Sequence, residues 1–167
     1  MRFHTINELN NFSFEDCRIT QIKWNDGDLV MELEGLIVLP KNSQNERYQK
    51  SYAGIVTATF TKAQIEAAVK DGYKHYDADG NLTEEIPDQR LNDAETEELY
   101  ESLPGVWFYD VQPIEELTDG SRRVYMFGIE MPRTNEQDLA EITDTYELRV
   151  SFEDAVLGWD RYMNKAE

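Results

Sequence analysis

The chain contains 167 residues, with a formal net charge of -18 at pH 7 and a single cysteine. A chain of this length can bury roughly 70% of its unfolded surface, so we expect one domain, 1–167, that folds without a disulfide or structural metal. The negative charge argues against binding to nucleic acid or to anionic membranes, because both depend on Lys and Arg side chains. One cysteine excludes an internal disulfide and a zinc site built from several thiolates.

The sequence lacks the apolar stretches of a membrane span or a secretion signal. The longest aliphatic run, Leu36–Leu39, is too short to cross a bilayer, and Met1–Asn10 lacks the apolar core of a signal peptide. We therefore expect a soluble, cytoplasmic protein. Its charge permits a basic protein partner or serves solubility alone, and the composition leaves the oligomeric state open.

The first elements in chain order are a short helix and a β-hairpin. The capping-box spacing of Thr5 and Glu8 predicts one or two helical turns. Two strands, Cys17–Trp24 and Leu29–Val38, then flank an Asp-Gly turn, which is a strong hairpin pattern. Gly35 interrupts the alternation of the second strand, which predicts a bulge there or burial of both faces beyond it.

The middle of the chain combines a strand, a helix and a second hairpin. Tyr52–Phe60 is rich in β-branched residues and predicts a strand. Thr61 with Gln64 has the spacing of a capping box, which predicts a helix that ends at Gly72. Tyr73–Ile86 predicts a small hairpin that turns at Asp79-Gly80-Asn81.

A helix and further strands follow. Asn92 and Glu95 form a second capping box, which predicts a helix to about Leu103. Its expected apolar stripe is Thr96, Leu99, Tyr100 and Leu103. Val106–Gln112 and Arg123–Met131 predict strands on either side of an Asp119-Gly120 turn.

The C-terminal part predicts a loop, a strand and a helix. The loop is Pro132–Asp138, and the strand alternates from Tyr146 to Phe152. Ser151 is placed to cap a final helix. That helix would bury Ala155, Val156, Trp159 and Tyr162.

Together these elements predict an α+β fold that is predominantly antiparallel β. We expect about seven or eight strands in a curved sheet or sandwich, with two or three helices packed on one face or end.

Catalytic, metal and cofactor motifs are not apparent. The Asp77-Ala-Asp79-Gly-Asn81 segment is similar to a calcium loop, but the sixth and twelfth positions hold Leu82 and Asp88 where an EF-hand needs Gly and Glu. A plain hairpin turn is the favoured interpretation. Cys17 fits a small buried hydrophobic residue better than a nucleophile, and Glu32 with Glu34 fits the wetted face of a strand. We predict no catalytic residue, metal ligand or cofactor.

The acidic segment 77–101 is the most unusual stretch of the sequence. It contains ten acidic residues and one basic residue, Arg90. Asp93 and Glu95 are favourable at a helix N-terminus, but Glu97 and Glu101 form a like-charge pair four residues apart. A solvated acidic face explains this pattern, and so does contact with a basic protein. The candidate interaction surface consists of Asp88, Asp93, Glu97, Glu98, Tyr100 and Glu101.

Three consecutive aromatic residues give an alternative ligand face. In a strand, Trp107 and Tyr109 point to one face and Phe108 to the other. We expect both faces to be covered as core; a face left open at Trp107 and Tyr109 would favour sugar or protein recognition.

The opening stretch also carries a family resemblance. Phe14-Glu-Asp-Cys-Arg-Ile19 followed by a hairpin resembles the start of small bacterial immunity proteins of polymorphic-toxin systems, and of proteins of unassigned function from anaerobic gut bacteria. Those immunity families commonly have Phe-His-Asp before the first strand, where this chain has Glu15. The resemblance covers Phe14–Val38. It implies an acidic, non-enzymatic protein that neutralises a toxin domain, and no functional residue is carried over.

The leading hypothesis is a non-enzymatic binding protein that contacts a basic protein. A small-molecule or carbohydrate-binding module is the alternative, and a hydrolase that uses carboxylates alone ranks last.

Overall fold

A computed structural model describes residues 2–116, 121–131 and 144–165 of the chain. These residues form one α-helix, α1 (Asp93–Glu101), one 3-10 turn (Leu9–Asn11) and sixteen strands. The strands are β1 Phe3–Ile6, β2 Phe12–Ser13, β3 Arg18–Asn25, β4 Asp28–Glu34, β5 Ile37–Val38, β6 Ser51–Ala53, β7 Val56–Phe60, β8 Gln64–Lys70, β9 Tyr73–Tyr76, β10 Leu82–Ile86, β11 Gln89–Arg90, β12 Trp107–Glu116, β13 Arg123–Glu130, β14 Thr145–Phe152, β15 Ala155–Trp159 and β16 Tyr162–Lys165.

The described strands form three antiparallel sheets. The main sheet has ten strands in the order β1-β15-β7-β4-β3-β12-β13-β14-β8-β11. A four-stranded sheet, β16-β6-β5-β2, packs against it through Trp159, whose ring contacts those of Phe12 and Tyr162. β9 and β10 form a separate two-stranded sheet.

The main sheet curves so strongly that its two halves enclose the core. Phe60 of β7 contacts Phe127 and Phe152 at ring-centroid distances of 5.5 and 5.1 Å, although four strands separate β7 from β14 in the sheet. One half consists of β1, β15, β7, β4 and β3, and the other of β12, β13, β14, β8 and β11. The chain passes from one half to the other between β7 and β8 and again between β14 and β15. These two crossings lie side by side, because the Thr61 amide donates to the Asp154 carbonyl and the Glu153 amide to the Thr61 carbonyl.

The predicted opening hairpin is confirmed as β3 and β4. Asp26 and Gly27 make the turn with positive φ angles of 50° and 87°, as a two-residue hairpin loop of this kind requires. Beyond β4, Gly35 has a φ of 83°, and a Cβ there would lie 2.2 Å from the Asp16 carbonyl oxygen. Only glycine fits this site, where the chain bends into the fully buried Leu36–Val38.

Helix α1 closes the gap between β3 and β12. These strands pair at Arg18 and Trp107 and then diverge. Further along β3, Trp24 stacks on Tyr100 of the helix at 6.4 Å. The predicted apolar stripe is confirmed, since Leu99 and Leu103 are buried and Thr96 and Tyr100 are half-buried.

The predicted fold class, α+β with two or three helices, is wrong. The protein is mostly antiparallel β, with 56% of residues in strands and 8% in helices, and α1 is the one α-helix in the described ranges. The expectation of antiparallel, β-rich structure is confirmed. The strand count of seven or eight was too low, partly because the predicted strands at 29–38 and 52–60 are each divided in two.

Three predicted helices are replaced as follows. The segment after Thr61 is β8, which pairs with β14 from Gln64 to Lys70, and the capping atoms of Thr61 bond to Asp154 instead. The segment after Ser151 is β15, between β1 and β7. The N-terminal segment is β1 with a single 3-10 turn after it. In each case, pairing with distant strands outweighs a local helical pattern.

The other sequence predictions have mixed outcomes. Strands β12, β13 and β14 confirm the predicted ones. The expected Asp119-Gly120 turn and the Pro132–Asp138 loop lie outside the described residues. Within the described ranges, no helix has the length and apolar character needed to cross a membrane.

Candidate functional site: the acidic surface of helix α1

The start of α1 is fixed by the predicted capping box. The Glu95 amide donates to the Asn92 side chain at 2.8 Å, and the Asn92 amide donates to the Glu95 carboxylate at 3.1 Å. Asp93 and Glu95 lie in the first turn, where the helix dipole favours negative charge. The helix is therefore held rigidly at the end nearest to β11.

Three glutamates form an exposed acidic face on the other side of the helix from its buried stripe. Glu97, Glu98 and Glu101 are all exposed. In the part of the chain that the structure describes, no Lys, Arg or His lies within ion-pair distance of their carboxylates. The pair Glu97 and Glu101 costs a few tenths of a kcal/mol in an isolated helix, about 0.2–0.5. No described cation offsets the repulsion between Glu97 and Glu101 in the folded protein.

The remaining predicted surface residues have different roles. Asp93 is exposed in the first turn of α1, next to the acidic face. Asp88 precedes β11 and accepts a hydrogen bond from the Gly72 amide at 2.7 Å. Tyr100 packs against Trp24 and helps to dock the helix, and burial raises the pKa of its hydroxyl. Asp88 therefore lies outside α1, and we call Asp93, Glu97, Glu98 and Glu101 the acidic surface.

A groove of about 260 Å³ lies beside the acidic surface, between α1 and strands β8, β11 and β14. Its helix wall includes Glu95 and Glu98. The opposite wall carries Lys70, whose ammonium group lies 3.6 Å from the Asp144 carboxylate. The lining residues are Lys70, Gln89, Leu91, Glu95, Glu98, Leu99, Ser102, Met131 and Tyr146. Since a cavity needs only about 10–15 Å³ of such volume to hold one water molecule, the groove has room for a long side chain.

The alternative ligand face is open, contrary to the expectation that both faces of this strand are core. Trp107 and Tyr109 are each 44% exposed, whereas Phe108 is buried. Tyr109 is nevertheless engaged, because its ring covers Gly128, where a Cβ would lie 2.5 Å from Tyr109 Cζ. Its hydroxyl donates to the Asp71 carboxylate at 2.7 Å. Tyr109 therefore braces β12 against β13 and the end of β8.

Carboxylates collect around this tyrosine. Burial and the hydrogen bond to Asp71 raise the pKa of the Tyr109 hydroxyl. Burial, together with the negative charges of Asp71, Asp88 and Asp110, raises the pKa of Glu147. Among the described residues, no group of three or more His, Cys, Asp or Glu side chains is close enough to hold a metal ion.

Sequence reasoning missed the Tyr109 cluster because its members come from separate segments. Asp71 follows β8, Gly128 is on β13, and Glu147 is on β14. One pattern could have indicated it. Gly128 is the single small residue in the apolar run Tyr125–Ile129, and a glycine within a strand often marks the close approach of another group.

The residues considered for catalysis are buried or engaged by neighbouring side chains or amides. Cys17 is fully buried, and burial raises the pKa of its thiol far above its usual value. Glu34 pairs with Arg18 at 2.9 Å, and Glu32 accepts a hydrogen bond from Thr20 at 2.6 Å. The calcium-like segment is a hairpin turn, since the Asp77 carboxylate accepts hydrogen bonds from the backbone amides of Asp79 and Asn81.

No family model, curated protein or solved structure matches the chain.

Proposed function

We propose that the protein is a non-enzymatic binding protein that contacts a basic protein through the acidic surface of α1. One observation carries this proposal: Glu97, Glu98 and Glu101 project from an ordered, capped helix with no described cation beside them. An uncompensated row of like charges on a rigid element is favourable once a partner supplies the positive charge.

The groove supplies a specific contact next to this charge. A Lys or Arg side chain that enters it would reach the carboxylates of Glu95 and Glu98, while its methylene groups would contact Leu91 and Leu99. Such a partly enclosed ion pair is screened less by salt than one on an open surface. The acidic surface would then govern the association rate, and the groove would govern the residence time.

A toxin domain is one kind of partner within this proposal. It is supported by the resemblance of the Phe14–Val38 stretch to immunity proteins, and the net charge of -18 suits neutralisation of a basic domain. A cytoplasmic location belongs to the same proposal and is supported by the composition of the sequence.

Charge reversal tests the proposal. The triple variant Glu97→Lys, Glu98→Lys, Glu101→Lys should lose capture of the partner from native host cells. Once that partner is identified and purified, its Kd for the variant should rise by about tenfold or more. The Kd of the unaltered protein should itself rise between about 0.05 and 0.5 M NaCl, because salt screens the attraction.

A matched control keeps the change in net charge the same. Glu15, Glu46 and Asp160 are exposed carboxylates on other segments than α1, and their reversal to Lys alters the total charge equally. This control triple should retain a Kd close to that of the unaltered protein. Equal losses in both triples would show an effect of overall charge and would overturn the acidic surface as the contact.

A carbohydrate- or small-molecule-binding module is the second candidate, and the exposure of Trp107 favours it. This indole is on the outer face beside Tyr109, and stacking on such rings is typical of sugar recognition. A thermal-shift screen of sugars and metabolites should then give a ligand whose effect disappears in Trp107→Ala. A screen without any hit would remove this candidate.

A further inference from the structure

The hairpin formed by β9 and β10, residues 73–86, which we call the arm, extends from the rest of the described structure. Its two strands pair with each other and with no other described strand. Every residue from Lys74 to Arg90 is exposed. A two-stranded hairpin without a packed face is at best marginally stable in water, so its persistence needs a local explanation.

The tip of the arm is ordered by Asp77. Its Oδ1 accepts the amides of Asp79 and Asn81, both at 2.9 Å, and its backbone amide donates to the Asn81 carbonyl. These bonds hold the pKa of the Asp77 carboxyl below its usual value. Gly80 supplies the positive φ that the turn requires.

The base of the arm is equally constrained. The Gly72 amide bonds to the Asp88 carboxylate, and a Cβ on Gly72 would lie 1.9 Å from the Ile86 carbonyl oxygen. Just beyond the base of the arm, Gln89 of β11 pairs with Lys70 of β8, and both residues line the groove. The arm therefore leaves the sheet at a fixed point next to the groove and the acidic surface.

Both faces of this ordered hairpin carry apolar side chains that stay partly exposed to solvent. The pairing register places Tyr76, which is 59% exposed, opposite Leu82, which is 50% exposed. It places Tyr73 opposite Ile86, which is 39% exposed, and the Tyr73 ring contacts that of His75. An exposed, pre-organised apolar element is typical of a contact with another protein, because little ordering entropy is lost on binding.

The charges on the arm identify the kind of partner. Asp77, Asp79, Glu84 and Glu85 lie on it, against Lys74 alone, which pairs with Glu85 at 3.7 Å. A second copy of this chain would bring like charges together, since each copy carries -18, and an anionic lipid surface would also repel it. A protein with a basic rim around an apolar cleft complements both the apolar and the acidic side chains.

We propose that the arm docks into an apolar cleft with a basic rim on the same partner that the acidic surface contacts. This inference rests on the proposed function, and it adds a second contact of a different chemical kind. The arm supplies apolar contact through Tyr76 and Leu82, and α1 supplies charge. The two contacts flank the groove.

Photo-cross-linking and affinity measurement test the arm. The photoreactive residue p-benzoylphenylalanine replaces Tyr76 in one full-length protein, and Tyr48, an exposed tyrosine outside the arm, in a control. In native host cells, Tyr76 should cross-link a basic protein that the Tyr48 control does not. With that protein purified, the double variant Tyr76→Ala, Leu82→Ala should raise its Kd by about tenfold or more, whereas Tyr48→Ala should leave it unchanged.

The outcomes separate the arm from the proposed function. If the α1 charge reversal weakens binding and the arm variant does not, the arm inference is overturned and the proposed function stands. If the arm variant weakens binding and the α1 reversal does not, the arm is supported and the acidic surface is overturned. Absence of a cross-link specific to Tyr76 overturns the arm. An unchanged melting temperature of the double variant shows that the fold is intact.

Discussion

Two hairpins of this protein, β3–β4 and β9–β10, have similar local chemistry and opposite surroundings. Both turn through an Asp and a positive-φ Gly: Asp26-Gly27 in the first, and Asp79-Gly80 in the second. In the first hairpin, β4 lies inside a ten-stranded sheet, and its buried residues alternate strictly with partly or fully exposed ones. In the second, all of β10 and most of β9 are exposed.

The difference shows that turn chemistry forms a hairpin but does not determine its use. Leu33 of β4 is 1% exposed and packs in the core, whereas Leu82 of β10 is 50% exposed. The first hairpin is stabilised by burial of its apolar face. The second is ordered by hydrogen bonds at its tip and base, and its apolar residues stay exposed.

The largest effect should come from truncating matched leucines in the two hairpins. Leu33→Ala removes a fully buried side chain and should lower the free energy of unfolding by about 2–5 kcal/mol. Leu82→Ala should change it by less than about 0.5 kcal/mol. Urea unfolding of both variants measures this. A large loss in Leu82→Ala would show that the arm packs on the core.

The second-largest difference should come from replacing two glycines that have nearly equal φ angles, one next to the first hairpin and one in the arm. Gly35 has a φ of 83° and Gly80 a φ of 84°. Gly35→Ala should destabilise the protein by more than about 2 kcal/mol, because the new Cβ would collide with the Asp16 carbonyl in addition to the backbone strain. Gly80→Ala has open space around it and strains the arm alone. Its global unfolding midpoint should stay constant; equal shifts in both variants would contradict this account.

Carboxylates of the sheet and the arm should respond to pH with opposite signs. The folded-state pKa of Glu147 is raised, so its charge opposes folding above that pKa, and the opposition disappears as pH falls towards and below the usual value of 4.5. Glu147→Gln should therefore stabilise the protein at pH 7 by up to about 0.5 kcal/mol. The gain should vanish below pH 4.5. Unfolding curves at both pH values test this, and a gain independent of pH would contradict it.

The smallest global effect is expected at the tip of the arm. The folded-state pKa of Asp77 is lowered, so its contribution to arm order is present above the usual value of 3.8 and is lost as pH falls through the lowered pKa. Asp77→Ala should speed amide exchange at Asn81 without changing the melting temperature. Asp79→Ala is the control, because its side chain accepts no hydrogen bond in the turn. Equal exchange rates in the two variants would refute the role given to Asp77.

Parts of the fold were predictable where all the necessary information lies within a few neighbouring residues. The Asp26-Gly27 hairpin, the Asn92 capping box and the turn at Gly80 are of this kind. The strands β8 and β15 were not predictable, since their local patterns suit a helix. Their conformation follows from the pairing of β8 with β14 and of β15 with β7, and in both cases the partner strand is distant in sequence.

The candidate site divides in the same way. The acidic face of α1 could be predicted because its glutamates lie on one helix with a clear start. The groove could not be predicted, since its walls include Lys70 and Tyr146 from strands that meet α1 only in the folded protein. The exposure of the arm could not be predicted either, because the alternation of apolar and polar residues in a strand does not show whether another element covers its apolar face.

Amide hydrogen exchange of the full chain, free and bound to the partner identified by cross-linking, tests the central claim most directly. In the proposed complex the arm and α1 contact the partner, whereas β3 and β4 only support the fold. Exchange should therefore slow at 73–86 and 93–101 on binding, and stay unchanged at 28–34. Slowing confined to other segments, such as 107–112, with the arm and α1 unaffected, would contradict it.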